Sequence, residues 1–289
     1  MATLREIRKR IGSIKSTQQI TKAMKMVAAA KLRKAQENIV ALRPYAYRMR
    51  DVIGHLTALS EKTSEIPLMQ HRPVEQVLIV SVTSDRGLCG GFNSNIIRQT
   101  SHRIEEYKEK EVELYAVGRK AQEFFSRRNV PIKQDRINFF NHLAFEHAVQ
   151  ISKDLISYFT SGAYDRIEIV YNEFKSAVQQ NVIVEPFLPF VPDPEMAEDK
   201  TQVDFIYEPD KETILNVLIP KHLNTQIWRI LLESYAAEQG ARMTAMENAT
   251  ENAEELVDNL TIYYNRTRQA AITKEIAEIV GGAEALKES

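Results

Sequence analysis

The sequence predicts an α/β protein in which long N- and C-terminal helices pair as an antiparallel coiled coil beside a central, mostly parallel α/β domain. Three observations carry this prediction. Glycine is scarce towards both ends, apolar residues there recur at steps of three and four, and strand-like runs alternate with helical patterns between them. We expect a long helix at 1–60, the central domain at 74–192, a proline-rich linker at 193–210 and a second long helix at 211–285 that pairs with the first.

The first segment has one glycine, Gly12, in residues 1–53, and its apolar stripe is close to the heptad pattern of a coiled coil. A helix over residues 4–57 would be roughly 80 Å long, and we expect Pro44 to kink it without ending it. The stripe consists of Leu4, Ile7, Ile11, Ile14, Gln18, Thr21, Met24, Ala28, Leu32, Ala35, Ile39 and Leu42.

The last segment repeats the pattern, because Gly240 is the only glycine in residues 163–280. Unbroken, this helix would be about 110 Å long. Two such helices at opposite ends of one chain favour antiparallel pairing. The expected stripe, which weakens after Ala245, consists of Ile227, Leu231, Ser234, Ala241, Ala245, Leu256, Leu260, Tyr263, Ala270, Ile276 and Val280.

The middle of the chain alternates strand and helix patterns, which predicts a mostly parallel sheet. The expected strands are 76–83, 112–117, 166–174 and 179–187, with a short segment at 130–132, and the last strand pairs antiparallel with 166–174. The expected helices are 93–108, 119–128 and 143–160, and Asn93 or Ser94 is the expected N-cap of the first. Five prolines in residues 185–210 predict a linker.

Charge is unevenly distributed along the 289 residues, although 38 Lys and Arg nearly balance 39 Asp and Glu. Residues 1–50 carry a net charge of +11, and the rest of the chain carries −12. Such a basic segment suggests an acidic partner: nucleic acid, an anionic membrane surface or an acidic protein surface. A solvated helix face is the alternative interpretation.

Neither a membrane span nor a secretory signal is expected from the sequence. No stretch approaches 18 consecutive apolar residues, and the first ten residues lack an apolar core. The single cysteine, Cys89, can form no internal disulfide, which favours a reducing compartment.

The glycine-rich segment SDRGLCGGFN, Ser84–Asn93, lies between a predicted strand and a predicted helix, where nucleotide folds bind phosphate. It matches neither G-x-x-x-x-G-K-[ST] nor G-x-G-x-x-G, so a tight turn and a ligand-binding loop both remain open. The sequence assigns no base to Cys89, the six histidines lack metal-ligand spacing, and the acidic pairs lie in polar helices. We therefore expect no catalytic residue, no cofactor and no metal site.

The last turns of the chain carry polar residues in an otherwise apolar helix end, Tyr263–Val280. Arg268 offers a planar guanidinium suited to a carboxylate, and Gln269 both donates and accepts hydrogen bonds. At the end of a projecting helix, contact with another protein stands beside ordinary helix surface as an explanation.

Four segments resemble the gamma-subunit family of the F-type rotary ATP synthases. They are ITKEIAEIVGGAEA (Ile272–Ala285), the first helix (Ile7–Gln36), SDRGLCGGFN (Ser84–Asn93) and ARMTAMENAT (Ala241–Thr250). The resemblance covers the whole chain. The cysteine-bearing insertion of redox-regulated chloroplast forms and a transit peptide are both lacking, which indicates a bacterial member at the cytoplasmic side of the cell membrane.

The resemblance implies a central rotor shaft and a central Rossmann-like domain. Rotation of the membrane c-ring, driven by proton flow, would cycle the catalytic beta subunits through their conformations. The implied partners are the ring of alpha and beta subunits, the epsilon subunit and the c-ring; no nucleic acid and no small molecule is implied, and the membrane is reached only through the complex. Catalysis belongs to beta, so this chain would be a non-catalytic subunit.

The resemblance also implies contact residues. Arg268 and Gln269 correspond to positions that grip a beta loop, and Lys22, Met24 and Lys25 correspond to the facing part of the first helix. Lys25 stands where some relatives have Glu. Tyr207 and Glu208 correspond to the foot near epsilon and the c-ring.

Two other classes of protein compete with this interpretation. A coiled-coil nucleic-acid binder would use the basic first helix on phosphates, but no aromatic residue occurs before Tyr45. A nucleotide-dependent enzyme would use the Ser84–Asn93 loop. Salt-dependent DNA binding would support the first class, and ATP binding abolished by Gly90→Val would support the second.

Overall fold

In the computed structural model the described residues are 3–58, 66–177, 179–192, 207–208 and 210–285. Residues 193–206 and 209, most of the expected linker, lie outside this set, as do residues 59 and 60. The helices are α1 (Leu4–Ala58), α2 (Phe92–Glu106), α3 (Arg119–Ser126), α4 (Phe145–Thr160) and α5 (Lys211–Ala285). The strands are β1 (Gln76–Val82), β2 (Glu111–Val117), β3 (Ile132–Arg136), β4 (Arg166–Phe174) and β5 (Gln180–Leu188).

The five strands form one sheet in the order β3-β2-β1-β4-β5. The first four are parallel to their neighbours, and β5 pairs antiparallel with β4, as the sequence predicted. Side chains of β1 alternate between two cores. Leu78, Val80 and Val82 face one core, and Val77 and Ile79 face the other. The sheet is therefore buried on both faces, as a parallel sheet requires.

The chain divides into two compact units, each described here by itself. Unit 1 comprises residues 1–27 and 243–289, and unit 2 comprises residues 28–242. Both long helices contribute to both units. Unit 2 contains the sheet, and Met49, Ile53 and Leu56 of α1 join the core on one face of that sheet.

Unit 1 contains an antiparallel pair of helical segments. Lys25 contacts Glu247, and Thr21 contacts Thr250, so the two segments run in opposite directions.

The stripe predicted for the first helix is confirmed: all twelve of its residues are buried or half-buried, and most of the residues between them are exposed. Pro44 lies inside α1, which continues to Ala58.

The stripe predicted for α5 is confirmed from Ile227 to Ala245 and at Leu260, and it is wrong at the other positions after Ala245. Leu256, Tyr263, Ala270, Ile276 and Val280 are exposed. The buried or half-buried stripe instead consists of Met246, Thr250, Ala253, Val257, Leu260, Tyr264, Thr267 and Ala271, at alternating steps of four and three. Several positions of this stripe carry small or hydroxyl side chains, which an apolar pattern does not reveal. The prediction therefore placed Leu256 and Tyr263 on the stripe, whereas their neighbours Val257 and Tyr264 are the residues that lie on it.

Two smaller expectations also need correction. The N-cap of α2 is Gly91 rather than Asn93 or Ser94, because α2 begins at Phe92. The Asn93 side chain bonds Ser84 instead. Of the segment expected at 130–132, only Ile132 is in a strand, β3, which continues to Arg136.

Candidate functional site

The glycine-rich loop Ser84–Asn93 follows β1 and leads into α2, as the sequence predicted. Its polar groups bond one another. The Asn93 amide nitrogen donates to Ser84 Oγ at 2.8 Å, Ser84 Oγ donates to the Arg86 carbonyl at 2.6 Å, and the Ser84 backbone N–H donates to Asn93 Oδ1 at 3.0 Å. This bonding favours the interpretation of the segment as a tight turn rather than as a ligand-binding loop, because these polar groups already have hydrogen-bond partners.

Helix α5 contacts this loop through the side chain of Arg242. Arg242 donates to the Gly87 carbonyl at 2.7 Å and forms an ion pair with Glu238 one turn earlier. Cys89 is buried in the loop, and burial raises the pKa of its thiol. A protonated, buried thiol is a poor nucleophile. Sequence reasoning missed Arg242, although it lies in the ARMTAMENAT segment.

The residues expected to contact beta lie on the two helical segments of unit 1. Arg268, Gln269 and Lys22 are exposed, whereas Met24 is half-buried on the helix-pairing stripe. The Lys25 ammonium lies 2.5 Å from a carboxylate oxygen of Glu247, so this charge already has a partner within the chain.

Large apolar side chains are exposed along the same segments. Ile279 is 70% exposed, the highest value among them. Exposed large apolar side chains in such number on one unit are candidates for protein contact. We call this set the unit 1 apolar surface, and it consists of Ile20, Met26, Val27, Leu256, Ile262, Tyr263, Ile272, Ile276, Ile279 and Val280.

Tyr207 and Glu208 lie in unit 2, just before α5. Tyr207 is half-buried and packs against the core of the sheet, with the Lys211 ammonium 5.2 Å from its ring centroid. Glu208 is exposed. Of these two residues, Glu208 has the more accessible side chain for a partner.

A cavity of about 380 Å³ lies between α1, β5 and α5 within unit 2. Arg229 donates two hydrogen bonds to Glu185 in its wall, at 2.6 and 2.8 Å. Burial alone would raise the pKa of Glu185, but Arg229 and Gln226 hold it below its usual value. His222 lines the same cavity, and burial, aided by the Arg229 charge, lowers its pKa to about 4.

We expect His222 to weaken the fold in acid. Its folded pKa is lower than its unfolded value, so the unfolded chain binds the proton first as the pH falls from 6.5 to 4. The free energy of unfolding should decrease across that window by up to about 3 kcal/mol more in the natural chain than in His222→Gln. Urea denaturation of both proteins at several pH values measures this difference, and parallel pH curves would refute it.

Two further properties concern the described residues only. Their His, Cys, Asp and Glu side chains form no group of three or more that could hold a metal ion. Within the same ranges, no helix combines the length and the apolar character needed to cross a membrane.

Comparison with known proteins identifies the family. The ATP synthase family model matches residues 3–286. The ATP synthase gamma chain of Chloroherpeton thalassium is 48% identical, with 100% of both chains covered. That of Prosthecochloris aestuarii is 49% identical, with 99% of both covered.

Two solved structures share the fold. A chain of the Tetrahymena thermophila mitochondrial ATP synthase, from its central stalk and c-ring, is 28% identical with a TM-score of 0.60, over 80% of this chain and 99% of that one. A chain of the Euglena gracilis mitochondrial ATP synthase is 22% identical with a TM-score of 0.68, over 98% and 94%. Because the family model and the gamma chains match over almost the whole sequence, the chain belongs to the ATP synthase family as one of its gamma chains.

Proposed function

We propose that this chain is the central rotor shaft of an F-type ATP synthase. It couples rotation of the membrane c-ring, driven by proton flow, to conformational cycling of the catalytic beta subunits. The observation that carries the proposal is the antiparallel helix pair of unit 1, whose outward side chains include the unit 1 apolar surface. These exposed side chains favour a partner that covers them in the complex.

The proposed partner of this surface is the ring of alpha and beta subunits. Arg268 and Gln269 are exposed among the apolar residues and supply directional hydrogen bonds to a beta loop. Lys22 and Met24 on α1 belong to the same proposed contact. Lys25 is also part of the proposed contact, although its side chain is only 38% exposed and already forms an ion pair with Glu247.

A shaft acts by differential contact. If its sides differ, three chemically identical beta subunits meet different surfaces and are held in different conformations. The exposed apolar residues of α1 and α5 differ in number and size along the pair, which supports such asymmetry. Rotation then presents each surface to each subunit in turn.

We further propose that the chain is non-catalytic and binds no cofactor. The self-bonded loop Ser84–Asn93 supports this, because its polar groups are not directed at a ligand. Glu208, with Tyr207 beside it, is the proposed contact with epsilon and the c-ring. The chain would lie at the cytoplasmic side of a bacterial cell membrane as a peripheral part of the complex. The relatives give no support to nucleic-acid binding.

The contact at Arg268 is testable in the assembled complex. A charge-assisted hydrogen bond contributes about 1.5–3 kcal/mol, so Arg268→Leu should lower ATP turnover by roughly tenfold or more. The matched control is Arg127→Leu, at an exposed arginine of unit 2. Equal turnover in both variants, with both complexes fully assembled, would show that Arg268 does not grip beta.

A further inference from the structure

We propose that Thr21 and Lys25 of α1, with Thr250 and Glu247 of α5, form a clamp that fixes the register of the two helical segments in unit 1. Lys25 is then a positioning residue that acts chiefly within the chain. The consequence for rotation rests on the proposed function, whereas the effect on register does not.

Two contacts cross between the segments, one turn apart. The Lys25 ammonium lies 2.5 Å from Glu247 Oε1, and their side chains are 38% and 42% exposed. The hydroxyl oxygens of Thr21 and Thr250 lie 2.7 Å apart. Each hydroxyl also lies near a backbone carbonyl of its own helix, Gln18 at 3.0 Å from Thr21 Oγ1 and Met246 at 2.7 Å from Thr250 Oγ1. One threonine therefore donates to the other, which keeps its bond to its own carbonyl.

Thr21 lies in the buried stripe, where the residue is 8% exposed and an apolar side chain would be usual. A polar residue at such a position costs stability and selects one register. Heptad stripes otherwise repeat, and small residues such as Ala253 pack against many partners, so the apolar contacts alone specify register weakly.

Sliding one segment against the other would break the clamp in either direction. In one direction, a slip of half a heptad places Thr21 opposite Ala253, and a slip of one heptad places it opposite Val257. In the other direction, the same two slips place Thr21 opposite Met246 and Met243. Ala and Val side chains offer Thr21 no hydrogen-bond partner, and a Met thioether accepts only weakly. A slipped Thr21 would keep its bond to the Gln18 carbonyl, but the bond between the two helices would be lost. Lys25 would meet Glu254 in one full-heptad slip and Gly240 in the other, so the threonine pair excludes the register that the ion pair alone would tolerate.

The ion pair acts on register more than on stability. A partly exposed pair contributes little to stability, but two like charges at this point would repel each other across the helix pair. Lys25→Glu or Glu247→Lys alone should therefore displace the segments, and the double exchange should restore them. A role for Lys25 in gripping an acidic beta loop makes the opposite prediction, because the double exchange leaves Glu at position 25.

Register is measured by disulfide formation in the full chain. Cysteines at Thr21 and Thr250, with Cys89→Ser, should cross-link on mild oxidation by a copper catalyst. We expect each single charge reversal to lower the yield severalfold and the double exchange to restore it. Because the two cysteines replace the threonine pair, this assay tests the ion pair by itself. Equal yields in all four proteins, or no recovery in the double exchange, would overturn the role of the ion pair in the clamp.

Coupling is measured in the assembled complex with both threonines present, as protons pumped per ATP hydrolysed. We expect a lower ratio in each single reversal and recovery in the double exchange, which a loss of general stability would not reproduce. Loss without recovery would overturn the in-chain role of Lys25. If the natural chain supported no coupled complex while the cross-linking followed the predicted pattern, the proposed function would fail and the clamp would stand.

Discussion

Val257→Asp should unpair the helical segments of unit 1, whereas Leu256→Asp should leave them paired. Val257 is 9% exposed on the buried stripe, and its neighbour Leu256 is 50% exposed. An unpaired carboxylate at the buried position costs several kcal/mol. Far-UV circular dichroism of the full chain should show a loss of helix, and amide exchange should become faster in residues 4–27 and 243–271.

The neighbouring variant is the matched control, because it has the same new charge and nearly the same helix position. Equal loss of helix in both variants would mean that the charge itself disturbs α5. Greater loss in Leu256→Asp would restore the stripe expected from the sequence and contradict the packing of unit 1.

Gly118→Ala should destabilise unit 2 by about 3 kcal/mol or more. Gly118 lies between β2 and α3 with a φ of +90°, which L side chains rarely adopt. A Cβ at this position would lie 2.1 Å from the Thr83 carbonyl oxygen at the end of β1. The Thr83 hydroxyl also accepts from the Ala121 backbone N–H at 2.9 Å, so any shift would disturb the start of α3. Urea denaturation of the full chain measures the loss.

Gly87→Ala is the control for this glycine. A Cβ at Gly87 would meet nothing within 4 Å, so we expect a change of about 0.5 kcal/mol or less. If the Gly118→Ala protein were as stable as the Gly87→Ala protein, the backbone at Gly118 and Thr83 could move apart at little cost. That result would contradict the close approach of these two residues.

Much of the fold could be predicted from patterns that extend over short stretches of chain. The strand predicted at 166–174 has those bounds in β4, because an apolar run with clear breaks specifies a buried strand. The stripe of the first helix was also predictable, since large residues such as Ile7 and Leu32 alternate with charged ones. The second stripe was predictable only in part, because beyond Ala245 the small residue Ala253 is buried and Thr250 is half-buried, whereas the large apolar residue Ile276 is exposed.

The contacts between distant residues could not be predicted from the sequence. Lys25 and Glu247 are 222 positions apart, and no local pattern connects them. The same holds for Arg242 and Gly87, which are 155 positions apart. The sequence identified the glycine-rich loop as a candidate site, but deciding between a turn and a ligand loop required knowing that Asn93 bonds Ser84. Pairing geometry is a property of the folded chain.

Rotation of the chain itself tests the central claim most directly. A bead can be attached through Lys108→Cys, at an exposed position after α2, in a Cys89→Ser chain assembled with immobilised alpha and beta subunits. We predict that ATP drives the bead in one direction, and that rotation stops when the ATP is exhausted. A complex that hydrolyses ATP at its normal rate while the bead shows only Brownian motion would contradict the rotor function.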